Sequence, residues 1–140
     1  MTPQERALAT VTEYWRAAAI RDYAAGEKVM AKNVTRLGPF NDPGDKVQGR
    51  DAYTAFIRSI QEKMSAYRNE THFLLPSPDA RKVVLQCTEY PTMDGREHQF
   101  PLCIIFDIND QWLIEKVDIY WKNPPGAANE WVRIDKNTLT

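Results

Sequence analysis

Apolar residues first recur at helical spacing. Leu8, Val11, Tyr14, Trp15, Ala18 and Ala19 form one stripe behind Thr2-Pro3-Gln4-Glu5, which reads as a capping box with proline in the first turn. This predicts a first helix ending near Asp22. Asp22–Ala31 reads as a second, short helix and Asn33–Leu37 as a brief strand, followed by a Gly-, Pro- and Asp-rich loop, Gly38–Gly49, long enough to carry function. Helical spacing returns at Ala52, Tyr53, Phe56, Ile57, Ile60 and Met64, giving a third helix from Arg50 to near Ser65. The period then changes to two. Tyr67–Leu75 alternates as a strand, Pro76–Ala80 turns, and Lys82–Lys122 holds three strand-like runs punctuated by Asp94-Gly95 and Asn109-Asp110, dipeptides that favour tight hairpins.

Closing the first hairpin at Asp94-Gly95 pairs Leu85 with Ile104, Cys87 with Leu102, Glu89 with Phe100 and Pro91 with His98, all on one face. Closing the second at Asn109-Asp110 sets Val117 beside Leu102, Ile119 beside Phe100 and Trp121 beside His98. The expected product is an α+β, cone-shaped fold in which a curved, mostly antiparallel sheet wraps around three helices, leaving an apolar pocket between its inner face and the first and third helices. Residues 1–123 are expected to form this domain and 124–140 a C-terminal tail with Trp131, Val132 and Ile134 as its apolar anchors.

Composition narrows the partners. A chain of 140 residues, 43% hydrophobic and 26% charged, suits one globular domain that needs no disulfide. A net charge of −1 gives no electrostatic case for nucleic acid or an anionic membrane. No apolar run approaches the roughly 20 residues that span a bilayer. Cys87 and Cys103 fall on opposite faces of the expected sheet, and the N-terminus lacks the apolar core of a signal peptide, so a reduced, cytoplasmic protein is expected. The two histidines have no metal-ligand spacing, and neither a phosphate-binding glycine loop nor a nucleophile elbow occurs; no metal and no cofactor are expected. The expected partners are a small apolar substrate or ligand, and a second copy of the chain against the outer sheet face, which includes Tyr90, Cys103, Ile105 and Tyr120.

Three pieces carry a family resemblance: Tyr14–Asp22 on the first helix, Gly49–Arg58 at the start of the third, and Ile114–Trp121 ending in Ile-Tyr-Trp. In order and spacing, residues 4–123 resemble the nuclear transport factor 2-like superfamily, which includes ketosteroid isomerase, limonene epoxide hydrolase and the SnoaL-like polyketide cyclases. The resemblance implies the cone fold and cofactor-independent chemistry on small apolar molecules. It also implies an oxyanion-binding tyrosine at Tyr14. Other familiar groups are missing: the isomerase's general-base aspartate falls on Gly38 and its second oxyanion-hole acid on Leu102, while the hydrolase's Asp-Arg-Asp set falls on Leu85, Cys87 and Ile119.

The candidate site therefore rests on residues of its own. Glu89 faces an apolar wall, where desolvation raises a carboxyl pKa toward neutrality and suits it to general acid or base work; its bland alternative is a bulge that turns it to water. His98 shares that face and could share a proton with Glu89. Arg36, two residues before Gly38, could polarise a carbonyl or lie in a surface ion pair, and Tyr14 could donate to an oxygen or simply pack in the core. Trp121, Phe100, Leu102, Ile119, Cys87 and Phe56 would form the substrate walls. Glu115 has inward parity near a wet turn, His72 shares a parity with Arg68 and Glu70, and Asp42 and Asp45 serve either as lid acids or as turn formers. The leading expectation is an isomerase, dehydratase or cyclase acting on an apolar carbonyl compound such as a terpenoid or polyketide, with Glu89 and His98 moving protons and Tyr14 and Arg36 holding the oxygen. The rivals are a non-catalytic ligand-binding or dimerisation module, and an epoxide hydrolase with a rearranged acid/base set.

Overall fold

The computed structural model describes residues 1–123. Helix α1 (Pro3–Ile20) starts at Thr2, whose hydroxyl accepts from the Glu5 N–H while the Glu5 carboxylate accepts from the Thr2 N–H. This satisfies two donors at the helix start. Ala7, Val11, Tyr14 and Ala17 form its buried stripe. Arg21 ends it in the left-handed conformation, and Asp22 caps the short helix α2 (Tyr23–Lys28) through the Ala25 N–H.

Strand β1 (Met30–Leu37) begins three residues before the expected Asn33, because Met30 and Ala31 continue into the sheet rather than ending α2. The expected loop after it is partly ordered: a 3-10 turn at Pro43–Asp45 leads into β2 (Lys46–Gln48), which pairs antiparallel with β1. Helix α3 (Arg50–Gln61) follows, then β3 (Ala66–Pro76), β4 (Lys82–Met93), β5 (Arg96–Glu97), β6 (Phe100–Ile108) and β7 (Ile114–Trp121). The strands join in the order β2-β1-β7-β6-β4-β3, with β5 on β4; only β1 and β7 run parallel. The bent sheet covers the helices from one side, the expected cone of three helices within a mostly antiparallel wrap. The expected tail, with Trp131, Val132 and Ile134, lies outside the described residues.

The first hairpin closes as expected. Asp94 and Gly95 both have positive φ, as a two-residue type I′ turn requires, and Glu89 pairs with Phe100, Cys87 with Leu102 and Leu85 with Ile104. The second hairpin does not. Leu102 pairs with Trp121, Ile104 with Ile119 and Phe106 with Val117, a shift of β7 that keeps its inward parity but moves each partner. The cause is the turn: Asn109 bonds Leu113 backbone to backbone, and its side-chain Oδ1 accepts from the N–H groups of Gln111 and Leu113. A longer loop replaces the tight one. Trp112 takes positive φ there and is fixed to α1 by a hydrogen bond from Thr10 Oγ1 to its carbonyl and by Arg6 over its ring.

Two further side chains are set by irregularities in pairing. The register shifts between Ile108↔Ile114 and Asp107↔Lys116, so Glu115 falls at the bulge and is exposed instead of facing inward. A second shift, between Thr71 and Phe73, sets His72 apart from the ladder, where its Nε2 lies 2.7 Å from Thr88 Oγ1.

Because the Asn109 side chain holds two backbone N–H groups of this loop, Asn109→Ala should cost about 1 kcal/mol and lower the melting midpoint by about 3–4 °C, read by thermal unfolding followed by circular dichroism.

Candidate active site

A cavity of about 310 Å³ lies between the inner sheet face and helices α1 and α3, at the lower end of the range for small-ligand sites. The helices border it because their stripes are wider than the core can cover: Trp15 and Ala18 of α1, and Phe56, Ile57 and Ile60 of α3, turn toward it instead of packing shut. Leu102, Ile104, Ile119, Phe100 and Trp121 supply the opposite wall. Phe100 stacks on Trp121 at 5.5 Å, and Phe40 meets the other ring edge-on at 4.8 Å.

Into this apolar space come Tyr14, Arg36, Tyr53, Gln61, Tyr67 and Glu89. Strand alternation brings in Glu89, on the face of Val83, Leu85 and Cys87, and its cross-strand neighbour is Asn69. Burial pushes the Glu89 carboxyl up to about 7, against the lowering pull of the Tyr67 hydroxyl and the Arg36 guanidinium. Among the described residues it is the one carboxyl bordering the cavity. A carboxyl balanced at neutrality can take and return a proton at ordinary pH.

Tyr14 and Tyr53 meet hydroxyl to hydroxyl in the buried floor, and burial keeps both protonated, Tyr53 being pushed up to about 12. Tyr67, also held well above its ordinary value by burial, accepts a 3.4 Å contact from Asn69 Nδ2. One hydroxyl of the Tyr14–Tyr53 pair donates to the other, which leaves the second hydroxyl's proton for a ligand oxygen. Arg36 is buried, lies over the Phe56 ring at 4.4 Å and pairs with Asp45, Nη1 to Oδ1 at 3.1 Å.

The SnoaL-like domain profile matches residues 11–115 of the chain. The chain belongs to that family. A putative polyketide cyclase from Xanthomonas campestris is 19% identical in a superposition that covers 94% of this chain and 97% of that one, with a TM-score of 0.72. SalBIII, an epoxide hydrolase/cyclase-like enzyme with a role in pyran ring formation in the polyether salinomycin, is 19% identical over 84% of this chain and 92% of its own, TM-score 0.72. A Mycobacterium tuberculosis protein in complex with estradiol-17β-hemisuccinate is 18% identical over 84% and 94%, TM-score 0.70. No curated protein sequence matches the chain.

In this SnoaL-like chain, Tyr14, Arg36 and Glu89 border one cavity, as do Trp121, Phe100, Leu102, Ile119 and Phe56. Two residues expected there stand elsewhere. His98 follows β5, opposite Pro91 through its N–H, and its ring stacks flat on Phe100 at 6.1 Å without bordering the cavity. The register of β7 explains the difference, since Trp121 sits against Leu102 rather than His98. Cys87 has inward parity but is 1% exposed within the core, and burial pushes its thiol up to about 12. Asp42 sets its own turn, accepting from the Gly44 N–H. Among the described residues no group of three or more His, Cys, Asp or Glu side chains is placed to hold a metal, and no helix is long and apolar enough to cross a membrane.

Tyr53 and Tyr67 were not singled out by sequence, and Asp45, read there as a lid acid or turn former, instead pairs with Arg36. Tyr67 had a readable signal, the same strand parity as Asn69 opposite Glu89. Tyr53 had none beyond its place on the apolar stripe of α3.

The raised carboxyl has a consequence for stability. Its proton is held more tightly in the folded chain than at the ordinary 4.5, so the contribution is complete below pH 4.5 and is lost as pH rises to about 7. The loss amounts to at most roughly 3 kcal/mol. Urea midpoints should therefore fall across this window in the wild type more steeply than in Glu89→Gln, the two curves running parallel above it.

Proposed function

We propose that this SnoaL-like protein is a cofactor-independent acid/base enzyme that isomerises, dehydrates or cyclises a small apolar carbonyl compound of terpenoid or polyketide type. The observation that carries the reading is Glu89, a carboxyl balanced near neutrality beside neutral phenols in an otherwise apolar cavity. Glu89 removes a proton from carbon next to the carbonyl and returns it to another carbon or to a departing hydroxyl, so a single group completes the cycle. Tyr14, backed by Tyr53, and the Arg36 guanidinium donate to the oxygen on which negative charge develops, in a mostly apolar cavity. His98 has no part in this scheme because the cavity does not reach it. The cyclase similarity, and the steroid ester held by a protein of the same fold, support a largely apolar ligand that carries oxygen groups.

A second reading is favoured by one arrangement. Asp45, Arg36 and Glu89 form an acid–arginine–acid row, the same chemical composition as the Asp-Arg-Asp set of limonene epoxide hydrolase at different positions. Here protonated Glu89 would give its proton to the epoxide oxygen as the C–O bond breaks and a water adds to the ring carbon, and the Glu89 carboxylate so formed would take the proton that the water loses. The two readings separate by pH: carbon deprotonation needs ionised Glu89, so kcat/KM rises through about pH 7, whereas epoxide opening by the protonated acid falls through it.

A panel of cyclic enones, β-hydroxy ketones and epoxides, assayed for turnover, tests both. Glu89→Gln should lower kcat by about 100- to 10,000-fold and Tyr14→Phe by about 10- to 1,000-fold, with the fold retained. Wild-type turnover in Glu89→Gln would remove the assigned role. Tight binding across the panel with no conversion would favour a ligand-binding module.

The proposed assembly is a homodimer through the outer sheet face. Phe73 and Leu75, whose partners Gln86 and Val84 point away from the core, are 45% and 58% exposed, and Tyr120 is 54% exposed on the same side. Light scattering after gel filtration should give twice the chain mass, and Leu75→Glu with Tyr120→Glu should return it to one.

A further inference from the structure

Asp45 stands in an unusual place. Its Oδ1 accepts from Arg36 Nη1 at 3.1 Å, its Oδ2 accepts from the Phe40 N–H at 3.0 Å, and its backbone carbonyl accepts from Gly38 N–H at 2.9 Å and Arg36 Nη1 at 3.4 Å. A Cβ at residue 38 would fall on the Asp45 carboxylate, so Gly38 is the notch that admits it. The carboxylate thus occupies the place a side chain at 38 would take, yet it does not border the cavity. Both ends of the pair are largely covered, with side chains 10% and 16% exposed, where charges interact more strongly than at the surface. Among the described residues Arg36 uses only Nη1 in this contact, and the same residue borders the cavity.

An unpaired guanidinium beside Glu89 would hold that carboxyl ionised and bind carboxylate ligands. A paired one keeps its directional N–H donors while most of its net charge is cancelled. We propose that Asp45 is a positioning residue for the proposed reaction: it fixes and neutralises Arg36 from behind, so that Arg36 meets the ligand as a hydrogen-bond donor and the cavity accepts an uncharged oxygenated molecule. The inference rests on the acid/base reading of the same site.

Glu89 reports on this arrangement. The charged and titratable groups acting on it are Tyr14 from α1, Arg36 from β1, Tyr53 from α3, Tyr67 from β3 and Cys87 on its own strand. The phenols and the thiol stay neutral near pH 7, which leaves Arg36 as the cation whose compensation matters. Asp45→Asn removes the charge and keeps an oxygen for Phe40 or Arg36, while the residue 45 carbonyl and the Phe56 ring continue to hold the guanidinium.

The test is a carbon-13 carboxyl NMR titration of glutamate-labelled, ligand-free protein, with the Glu89 signal assigned by its loss in Glu89→Gln. In Asp45→Asn the Glu89 midpoint should fall from about 7 by about one pH unit, a tenfold change in proton affinity. Asp45→Glu, which restores the charge, should bring it back toward the wild-type value. Should Asp45→Asn fail to fold, Gly38→Ala reads the same quantity by crowding the carboxylate off Arg36. A midpoint that holds or rises in either folded variant overturns the proposal, whereas a merely structural Asp45 would lower the melting temperature and leave the midpoint in place. The titration needs no substrate, so this result stands apart from whether Glu89→Gln abolishes turnover.

Discussion

The pairing of β4 with β6 is the constraint on which the rest depends. Once the Asp94-Gly95 turn fixes Glu89 opposite Phe100, alternation sends Val83, Leu85, Cys87 and Glu89 to one face and no other arrangement of that strand is available. A slip by one residue would put three core side chains in water. Glu89 therefore faces inward because its neighbours must, and the energy of burying them exceeds the cost of carrying one carboxyl with them.

That cost sets the chemistry. The carboxyl is drawn toward the neutral form by desolvation and toward the ionised form by Tyr67 and Arg36, and the balance lies near neutrality. Desolvation dominates because the rest of the wall is hydrocarbon and aromatic. The same dryness keeps Tyr14 and Tyr53 protonated, so the cavity offers one movable proton and several fixed donors. An apolar cavity gains polar function here by packing a few groups whose charged forms are all unfavourable, Arg36 excepted, and Arg36 is answered by Asp45.

The loop between β1 and α3 carries the acid that answers Arg36. Gly38 carries no side chain, and the vacated volume is filled from Asp45, seven positions later, rather than left for a ligand. The same carboxylate ties down Phe40, whose ring closes on Trp121. One side chain thereby links the loop, the buried arginine and the aromatic wall of the cavity.

By itself, the sequence determined the helices, the cone, the inner face of the meander and the presence of Glu89, Arg36 and Tyr14 around one apolar space. These follow from periodicity, capping and turn chemistry, which act over a few residues. It did not determine the register of β7, because Asn109 builds a longer turn with its side chain where a tight dipeptide turn was equally compatible with the residues. That difference moved Trp121 away from His98, and the bulge at Glu115 exposed a side chain whose parity pointed inward. Only the tertiary structure decided that Asp45 would meet Arg36 and that Tyr53 would meet Tyr14. Those contacts join segments whose separation along the chain carries no periodic signal, and they arise where packing brings surfaces together, not where local backbone preference directs them.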